Sequence, residues 1–375
     1  MYQIPDTLGD LNKNAPLAEK LTSTHTALKR QYDFIDRISV ALYDPKTDLL
    51  KTFIHSSGTD EPLGNYQAVL RQVGSLQEIL QTGHPRVVND LEVFGPGKQE
   101  HTLRIAAQGY GASYTMPMFL NGMFFGFVFF NSYQKNCFGE NVLHTLNVFG
   151  HLISLIILSD LTNFRTMLAT VKAARDMAFF HDNETGAHLD RMAHYSRLIA
   201  KTLAPKYRLD DELIEHIFLF SPLHDIGKIR IPDRILQKTD KLTQEEYQIM
   251  KGHAIKGREI IDTILRDFGL ESLHHIDVLR NIAEFHHEAI NGRGYPHGLV
   301  GERIPIEARI IAVADMFDAL TSKRPYKEAW PNEVAFNLLK ELAGVRLDRD
   351  CVEALIQNRS DIEKIQIRFK EELYS

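Results

Sequence analysis

The chain has 375 residues and contains little of what marks secreted or membrane proteins. Its two cysteines, Cys137 and Cys351, are too few for a disulfide framework and fit a reducing cytoplasm. The first residues, MYQIPDTLGDLNKN, lack a basic segment followed by an apolar core, so we expect no signal peptide. The longest apolar run, near Leu152–Leu158, is too short to span a bilayer, and we expect no membrane insertion.

The charge balance is acidic, with a formal net charge of −6. This balance argues against broad electrostatic binding of long nucleic acid, although a local basic pocket remains compatible with it. Hydrophobic residues make up 44% and charged residues 25% of the chain, which is ordinary for a soluble globular protein. The length favours two domains.

The first third of the chain alternates short helical and extended patterns. We predict helices over residues 15–31 and 75–82, strands over 37–43, 49–55, 114–120 and 123–131, and a short extended piece at 87–88. The dipeptide Asn121-Gly122 suits a type I′ turn and predicts a hairpin. This order of elements is similar to a GAF domain, a likeness that implies a small-ligand sensor or dimerisation module with an unknown small ligand.

Between Gly139 and about Phe180 there is no proline and a single glycine, Gly150, while apolar residues recur at helical spacing. The pattern predicts a helix of about 40 residues, longer than most globular helices. Two interpretations remain open. The helix either packs on both domains or pairs with its counterpart in a parallel homodimer.

Histidine is abundant, with seventeen residues that lie mostly after residue 180. Glu184 and His188 share one helix face at i, i+4 spacing, and the adjacent His224-Asp225 offers an imidazole and a carboxylate. An adjacent histidine pair is expected about once by chance at this frequency, so a pair alone is a poor motif. We interpret the pair His274-His275 as structural or solvent-facing.

The surroundings of the other pair, His286-His287, are more specific. The strings HDIGK, IPDRIL, HHEAINGRGYP and DMFDALTSKRPY occur in this order between about Ala174 and Trp330. Together they resemble the HD-GYP subgroup of HD-domain phosphohydrolases. The resemblance implies an all-α HD-domain helical bundle at the C-terminus, which follows the predicted α+β GAF-like N-terminal domain and long connecting helix. The expected boundaries are residues 1–30 for a helical lead-in, 31–140 for the GAF-like domain, 141–173 for the connecting helix and 174–375 for the HD-GYP domain.

The resemblance implies hydrolysis of cyclic di-GMP to linear pGpG, and leaves open further hydrolysis to GMP. The implied metal ligands are Glu184, His188, His224, Asp225, His253, His286, His287 and Asp315. Asp225 matches a bridging carboxylate, and the pair Glu184 and His188 favours three metal ions over two. The family precedent favours iron, with manganese as the alternative.

This ligand set suits phosphodiester hydrolysis, because paired metal ions lower the pKa of a bridging water and neutralise phosphate charge. We find no serine or cysteine elbow that would indicate a covalent nucleophile. In the family, Lys228 would stabilise charge or protonate the leaving oxygen. Asp182 and Asp318 match positions that could relay protons, although a helix cap is an alternative for Asp182.

The loop Asn291–Pro296 and the string SKRPYKEAW supply the implied substrate contacts. Tyr295 would stack on a base or hydrogen-bond a phosphate, whereas the loop glycines are mainly architectural. Arg324 and Lys327 match basic residues that hold phosphates and guanine.

Three alternatives remain open: a cyclic GMP-AMP phosphodiesterase, a catalytically weak cyclic di-GMP receptor, and an HD-type enzyme acting on dNTPs. The GYP loop and the RPY string argue against the last, and the complete ligand set argues against the receptor.

Overall fold

A computed structural model of the chain describes residues 6–13, 15–58, 66–94, 108–178, 186–270, 275–323 and 328–370. The chain divides into two compact units, Met1–Phe164 and Arg165–Ser375. The predicted residues Asp182, Glu184, Arg324 and Lys327 lie outside the described residues, as does His274.

The first unit contains a six-stranded antiparallel sheet with the strand order β3-β2-β1-β6-β5-β4. The strands are β1 (Arg37–Asp44), β2 (Leu49–Ser57), β3 (Gln67–Val69), β4 (Arg86–Val88), β5 (Ala112–Leu120) and β6 (Met123–Ser132). Two helices, α1 (Leu17–Lys29) and α2 (Gly74–Thr82), accompany the sheet. The α+β class predicted for this part of the chain is confirmed.

The predicted hairpin is also confirmed, because β5 and β6 pair up to their connecting turn. Asn121 and Gly122 both have positive φ, 50° and 80°, as a type I′ turn requires. Gly83 ends α2 in the left-handed conformation, with φ of 68°, where a glycine carries no Cβ penalty. A buried apolar cluster between the sheet and α2 includes Leu50, Leu76, Ile79 and Phe127.

The predicted long helix is observed as α3 (Glu140–Ala178), with 39 residues. Its one glycine permits a close approach to the sheet, because a Cβ at Gly150 would lie 2.7 Å from Sδ of Met116. Leu146, Ile153, Ile157 and Leu161 are buried along the same helix.

One stretch of α3 is long and apolar enough to cross a membrane by length and composition alone. The stretch Glu140–Thr162 has 23 residues and a mean hydropathy of 1.7, and 28% of its apolar segment is buried. This stretch is not one uninterrupted apolar run, because polar and mostly uncharged residues separate its apolar ones. One such helix is weak support for a membrane span, since core helices of soluble proteins meet the same criterion.

The second unit is helical, as predicted. Its helices are α4 (Gly186–Tyr207), α5 (Asp211–Phe220), α6 (Asp233–Leu236), α7 (Gln244–Lys251), α8 (His253–Phe268), α9 (Ile276–Phe285), α10 (Ile306–Thr321), α11 (Asn332–Leu342), α12 (Arg349–Gln357) and α13 (Arg359–Arg368). Short 3₁₀ turns cover Ser221–Leu223, Ile226–Arg230 and Gly301–Arg303. Within the described part of this unit, β pairing is limited to two isolated bridges.

Helices α4 and α10 form the centre of this unit and contact each other. Helix α10 is apolar on most sides, and Ile310, Val313, Ala314 and Phe317 are fully buried. Helix α4 also contacts α5, α12 and α13, while α10 contacts α9 and α11. Because α4 and α10 pack together, residues of these two helices that are far apart in sequence lie close to each other.

Candidate metal centre

The His224-Asp225 pair lies in a tight turn between two 3₁₀ segments after α5. Gly227 lets this turn contact the start of α8, because a Cβ there would lie 1.8 Å from the backbone oxygen of His253. No side chain fits that space. The glycine of the HDIGK string therefore brings Asp225 next to His253.

Three histidines of the candidate metal centre form the same kind of hydrogen bond, from Nδ1 to a backbone oxygen. Nδ1 of His224 donates to the carbonyl oxygen of Ser221 at 2.9 Å. Nδ1 of His253 donates to Met250 O at 2.7 Å, and Nδ1 of His286 donates to Ile282 O at 2.9 Å. A proton on Nδ1 leaves the lone pair of the neutral ring on Nε2, which is how ligating histidines are usually held.

The three Nε2 atoms converge on the Asp225 carboxylate. His224 Nε2 lies 3.2 Å from Oδ2, whereas His253 and His286 Nε2 lie 3.1 Å and 3.5 Å from Oδ1. Lys228 Nζ lies 2.7 Å from Oδ2. The two carboxylate oxygens thus face different ring nitrogens, an arrangement compatible with a bridging ligand.

Burial and charge control the protonation of this group. Burial raises the pKa of Asp225, but the Lys228 ammonium and His224 outweigh burial and hold that pKa well below its usual range. Burial lowers the pKa of His286, and burial together with His286 lowers the pKa of His287 further. A carboxylate and neutral imidazoles are the protonation states in which these groups bind metal.

Seven of the eight predicted ligands fall into two groups, and within each group the potential ligand atoms lie within 4.8 Å of one another. The first group comprises Asp225, His253, His286 and His287, and the second comprises His188, His224 and Asp315. The groups adjoin through the neighbouring residues His224 and Asp225. Imidazole and carboxylate donors of this kind fit Fe, Mn or Zn.

Asp318 lies behind the second group and is almost fully buried. It accepts from Nδ1 of His188 at 2.7 Å and from Arg191, whose Nε and Nη2 lie 2.6 Å and 3.0 Å from its two oxygens. Ser322 donates to it as well, at 2.9 Å. Burial raises the pKa of Asp318, but the His188 and Arg191 hydrogen bonds outweigh it and lower the pKa.

Arg191 was not recognised in the sequence, although it follows His188 by three residues and so lies on the same helix face. The sequence also did not predict a role for Glu288, which belongs to the HHEAINGRGYP string. Its buried carboxylate accepts from the backbone N–H groups of His297, Gly298 and Leu299 at 2.7, 3.1 and 2.9 Å. Glu288 therefore fixes the loop that follows the histidine pair.

Tyr295 lies beside the first group, with its ring centroid 4.7 Å from that of His287. Lys251 Nζ lies 5.5 Å from the centroid of the same ring. Burial raises the pKa of Tyr295, so the phenol stays protonated at neutral pH. A Cβ at Gly294 would lie 2.2 Å from the backbone nitrogen of Ala289, which agrees with an architectural role for this glycine.

Residues 173–351 match a family model described as an HD domain. This match, together with relatives of 38–45% identity, supports the predicted likeness of this part of the chain to the HD-GYP subgroup. The buried histidines and carboxylates make it a candidate for divalent metal binding.

Several relatives have names that state an activity. The chain is 45% identical over 186 residues to the cyclic di-GMP phosphodiesterase response regulator RpfG of Xanthomonas campestris, covering 50% of this chain and 46% of that protein. It is 39% identical over 196 residues to a cyclic di-GMP phosphodiesterase of Thermotoga maritima, covering 52% and 50%. It is 41% identical over 175 residues to the 3'3'-cGAMP-specific phosphodiesterase 2 of Vibrio cholerae, covering 47% and 31%. The chain spans about half the length of these relatives, or less.

Among solved structures, the phycocyanobilin-bound GAF domain of a cyanobacterial phytochrome aligns with a TM-score of 0.33 and 14% identity, over 40% of this chain and 89% of that one. The GAF domain of an Acinetobacter phosphoenolpyruvate-protein phosphotransferase aligns with a TM-score of 0.32 and 14% identity, over 42% and 90%.

Proposed function

We propose that this protein hydrolyses cyclic di-GMP to linear pGpG with divalent metal ions held by the two ligand groups. The observation that carries the proposal is the convergence of three Nε2 atoms on the two oxygens of Asp225. The names of the relatives support a cyclic dinucleotide as the substrate class.

When bound, paired metal ions would supply a water of low pKa and would neutralise charge on the scissile phosphate. The chain's own residues complete this chemistry. Asp225 and the neutral histidines provide the ligands, and Lys228 brings an ammonium group within 2.7 Å of Asp225. We assign to Lys228 the stabilisation of phosphate charge or the protonation of the leaving oxygen.

The role of Asp318 is better supported as orientation than as proton relay. A carboxylate bound by Arg191, His188 and Ser322 has little capacity left to accept a further proton. We propose that Asp318 holds the imidazole of His188 so that its other nitrogen faces the metal ions. Proton relay through Asp182 stays a prediction.

We propose three metal ions, with Glu184 and His188 helping to hold the third, and two as the alternative. Iron is the preferred metal and manganese the alternative, since mixed imidazole and carboxylate ligation suits both.

Substrate contacts are assigned to Tyr295, Arg324 and Lys327. Tyr295 has an apolar ring beside the ligand group for stacking on a base and a protonated hydroxyl for a hydrogen bond. Arg324 and Lys327 would pair with the phosphates and guanine of a dianionic ligand, which an acidic protein can bind only through such local charge.

Cyclic GMP-AMP is the second candidate substrate, because a relative of 41% identity is named for it. A catalytically weak receptor is less well supported, since seven predicted ligands lie together in the described part of the chain.

We further propose a cytoplasmic homodimer in which α3 pairs with its counterpart and the GAF-like domain binds a small ligand. Val148 and Leu155 are 67% and 64% exposed in the single chain and are seven residues apart, the spacing of a coiled-coil seam. Replacing both residues with glutamate should yield a monomer in sedimentation experiments. Persistence of the dimer would exclude this seam.

The function is tested by anaerobic purification, metal analysis, and chromatography of the products formed from cyclic di-GMP and cyclic GMP-AMP. We expect linear pGpG, and a faster reaction with cyclic di-GMP. The variant Asp225→Ala should lose metal and activity together, because one bridging carboxylate would serve two ions. Full metal content in this variant would exclude the bridging role, and faster cleavage of cyclic GMP-AMP would reverse the substrate assignment.

A further inference from the structure

A third group of potential ligands lies outside the candidate metal centre. Glu212, His216 and His275 each offer one ligand atom, and these atoms lie within 4.8 Å of one another. Glu212 and His216 are one turn apart on α5, and His275 immediately precedes α9. The rings of His216 and His275 have centroids 5.0 Å apart.

The two ligands on α5 are deeply buried, with exposed fractions of 4% for Glu212 and 1% for His216. Nδ1 of His216 donates to the backbone oxygen of Glu212 at 2.8 Å. The lone pair of the neutral ring is therefore on Nε2, as in the three histidines around Asp225.

We propose that Glu212, His216 and His275 bind a divalent cation, Zn²⁺ by the chemistry of their donors. Two imidazoles and one carboxylate are a common protein ligand set for zinc, and solvent would complete a tetrahedral site. This proposal gives His275 a ligand role, whereas the sequence alone favoured a structural or solvent-facing one.

The position of this site suggests what the ion does. Helices α5 and α9 contact each other, and the site joins the first two turns of α5 to the N-terminal end of α9. Each helix has ten residues and is thus about 15 Å long, and their far ends lead to His224 and His286. A bound ion would fix the spacing of two helices that carry ligands of the candidate metal centre.

The test is zinc content per chain after the full-length apoprotein has been dialysed against Zn²⁺ alone. The variants His216→Gln and His275→Gln should each bind about one zinc ion fewer than the wild type. The matched control is His194→Gln, which changes another buried histidine of the same unit, one that stacks on Phe369. It should retain the wild-type zinc content.

Equal zinc content in the wild type, His216→Gln and His275→Gln would overturn the proposal and leave a hydrogen-bonded histidine cluster. His275 is only partly buried, so His275→Gln decides the matter if His216→Gln does not fold. Zinc retention by Asp225→Ala adds a second check. That variant should keep the ion bound by Glu212, His216 and His275, and its complete loss of zinc would contradict an independent site.

Discussion

Replacing Arg191 with methionine should destabilise the second unit strongly. Arg191 and Asp318 are 5% and 1% exposed, and the guanidinium contacts both carboxylate oxygens. Methionine fills much of the same volume but leaves a buried carboxylate without its cation. Breaking a buried ion pair in this way costs about 3–5 kcal/mol, a large part of the 5–15 kcal/mol that stabilises a typical domain.

The assay is urea unfolding followed by tryptophan fluorescence. The chain has a single tryptophan, Trp330, which lies in the second unit, so its signal reports that unit alone. The matched control is Arg258→Met, because Arg258 pairs with Asp262 and Glu284 at a partly exposed position of the same unit. Exposed pairs contribute about 0–1 kcal/mol, so the control should lose little stability.

The double variant Arg191→Met/Asp318→Asn removes the stranded charge and should be more stable than Arg191→Met alone. The lowered pKa of Asp318 adds a pH dependence. Its contribution is fully present above the unfolded value of 3.8 and is lost as the pH falls through the lower folded pKa. A loss below about 1 kcal/mol in Arg191→Met, equal to that in Arg258→Met, would refute the reasoning.

Three further predictions concern the site itself. Gly227→Ala should displace His253, lower stability by about 1–3 kcal/mol through overpacking, and reduce the metal content. The control Gly186→Ala should behave as wild type, because no atom lies within 4 Å of its new methyl group. Equal metal content in the two variants would contradict the close contact at Gly227. Glu184→Gln should remove one metal ion selectively, and elemental analysis without any change would exclude a trinuclear site. Arg324→Met should raise KM for cyclic di-GMP about 10-fold or more while leaving metal content unchanged, because it removes charge-assisted hydrogen bonds to phosphate; unchanged kinetics would exclude a substrate contact.

Local patterns predicted the N-terminal elements well. The Asn121-Gly122 turn, the end of α2 at Gly83 and the length of α3 depend on residues that are neighbours in the chain. The candidate metal ligands could be named because they occur in strings with a fixed order.

The supporting contacts could not be predicted in the same way. His188 and Asp318 are 130 residues apart and meet only because α4 packs on α10. His275 was dismissed as one of a chance pair, since its proximity to Glu212 and His216 depends on the contact between α5 and α9. Spacing along the chain carries no information on such contacts, whereas the packing of buried helices determines them.

We propose that the residues around Asp225 hold metal ions for the hydrolysis of a cyclic dinucleotide. The most direct test adds metal back to the full-length apoprotein under anaerobic conditions and measures linear pGpG formed from cyclic di-GMP at each step. We expect no product from the apoprotein, a rise in turnover as metal is bound, and no recovery in Asp225→Ala. Saturable binding of cyclic di-GMP without product at full metal content would contradict the claim and identify a receptor.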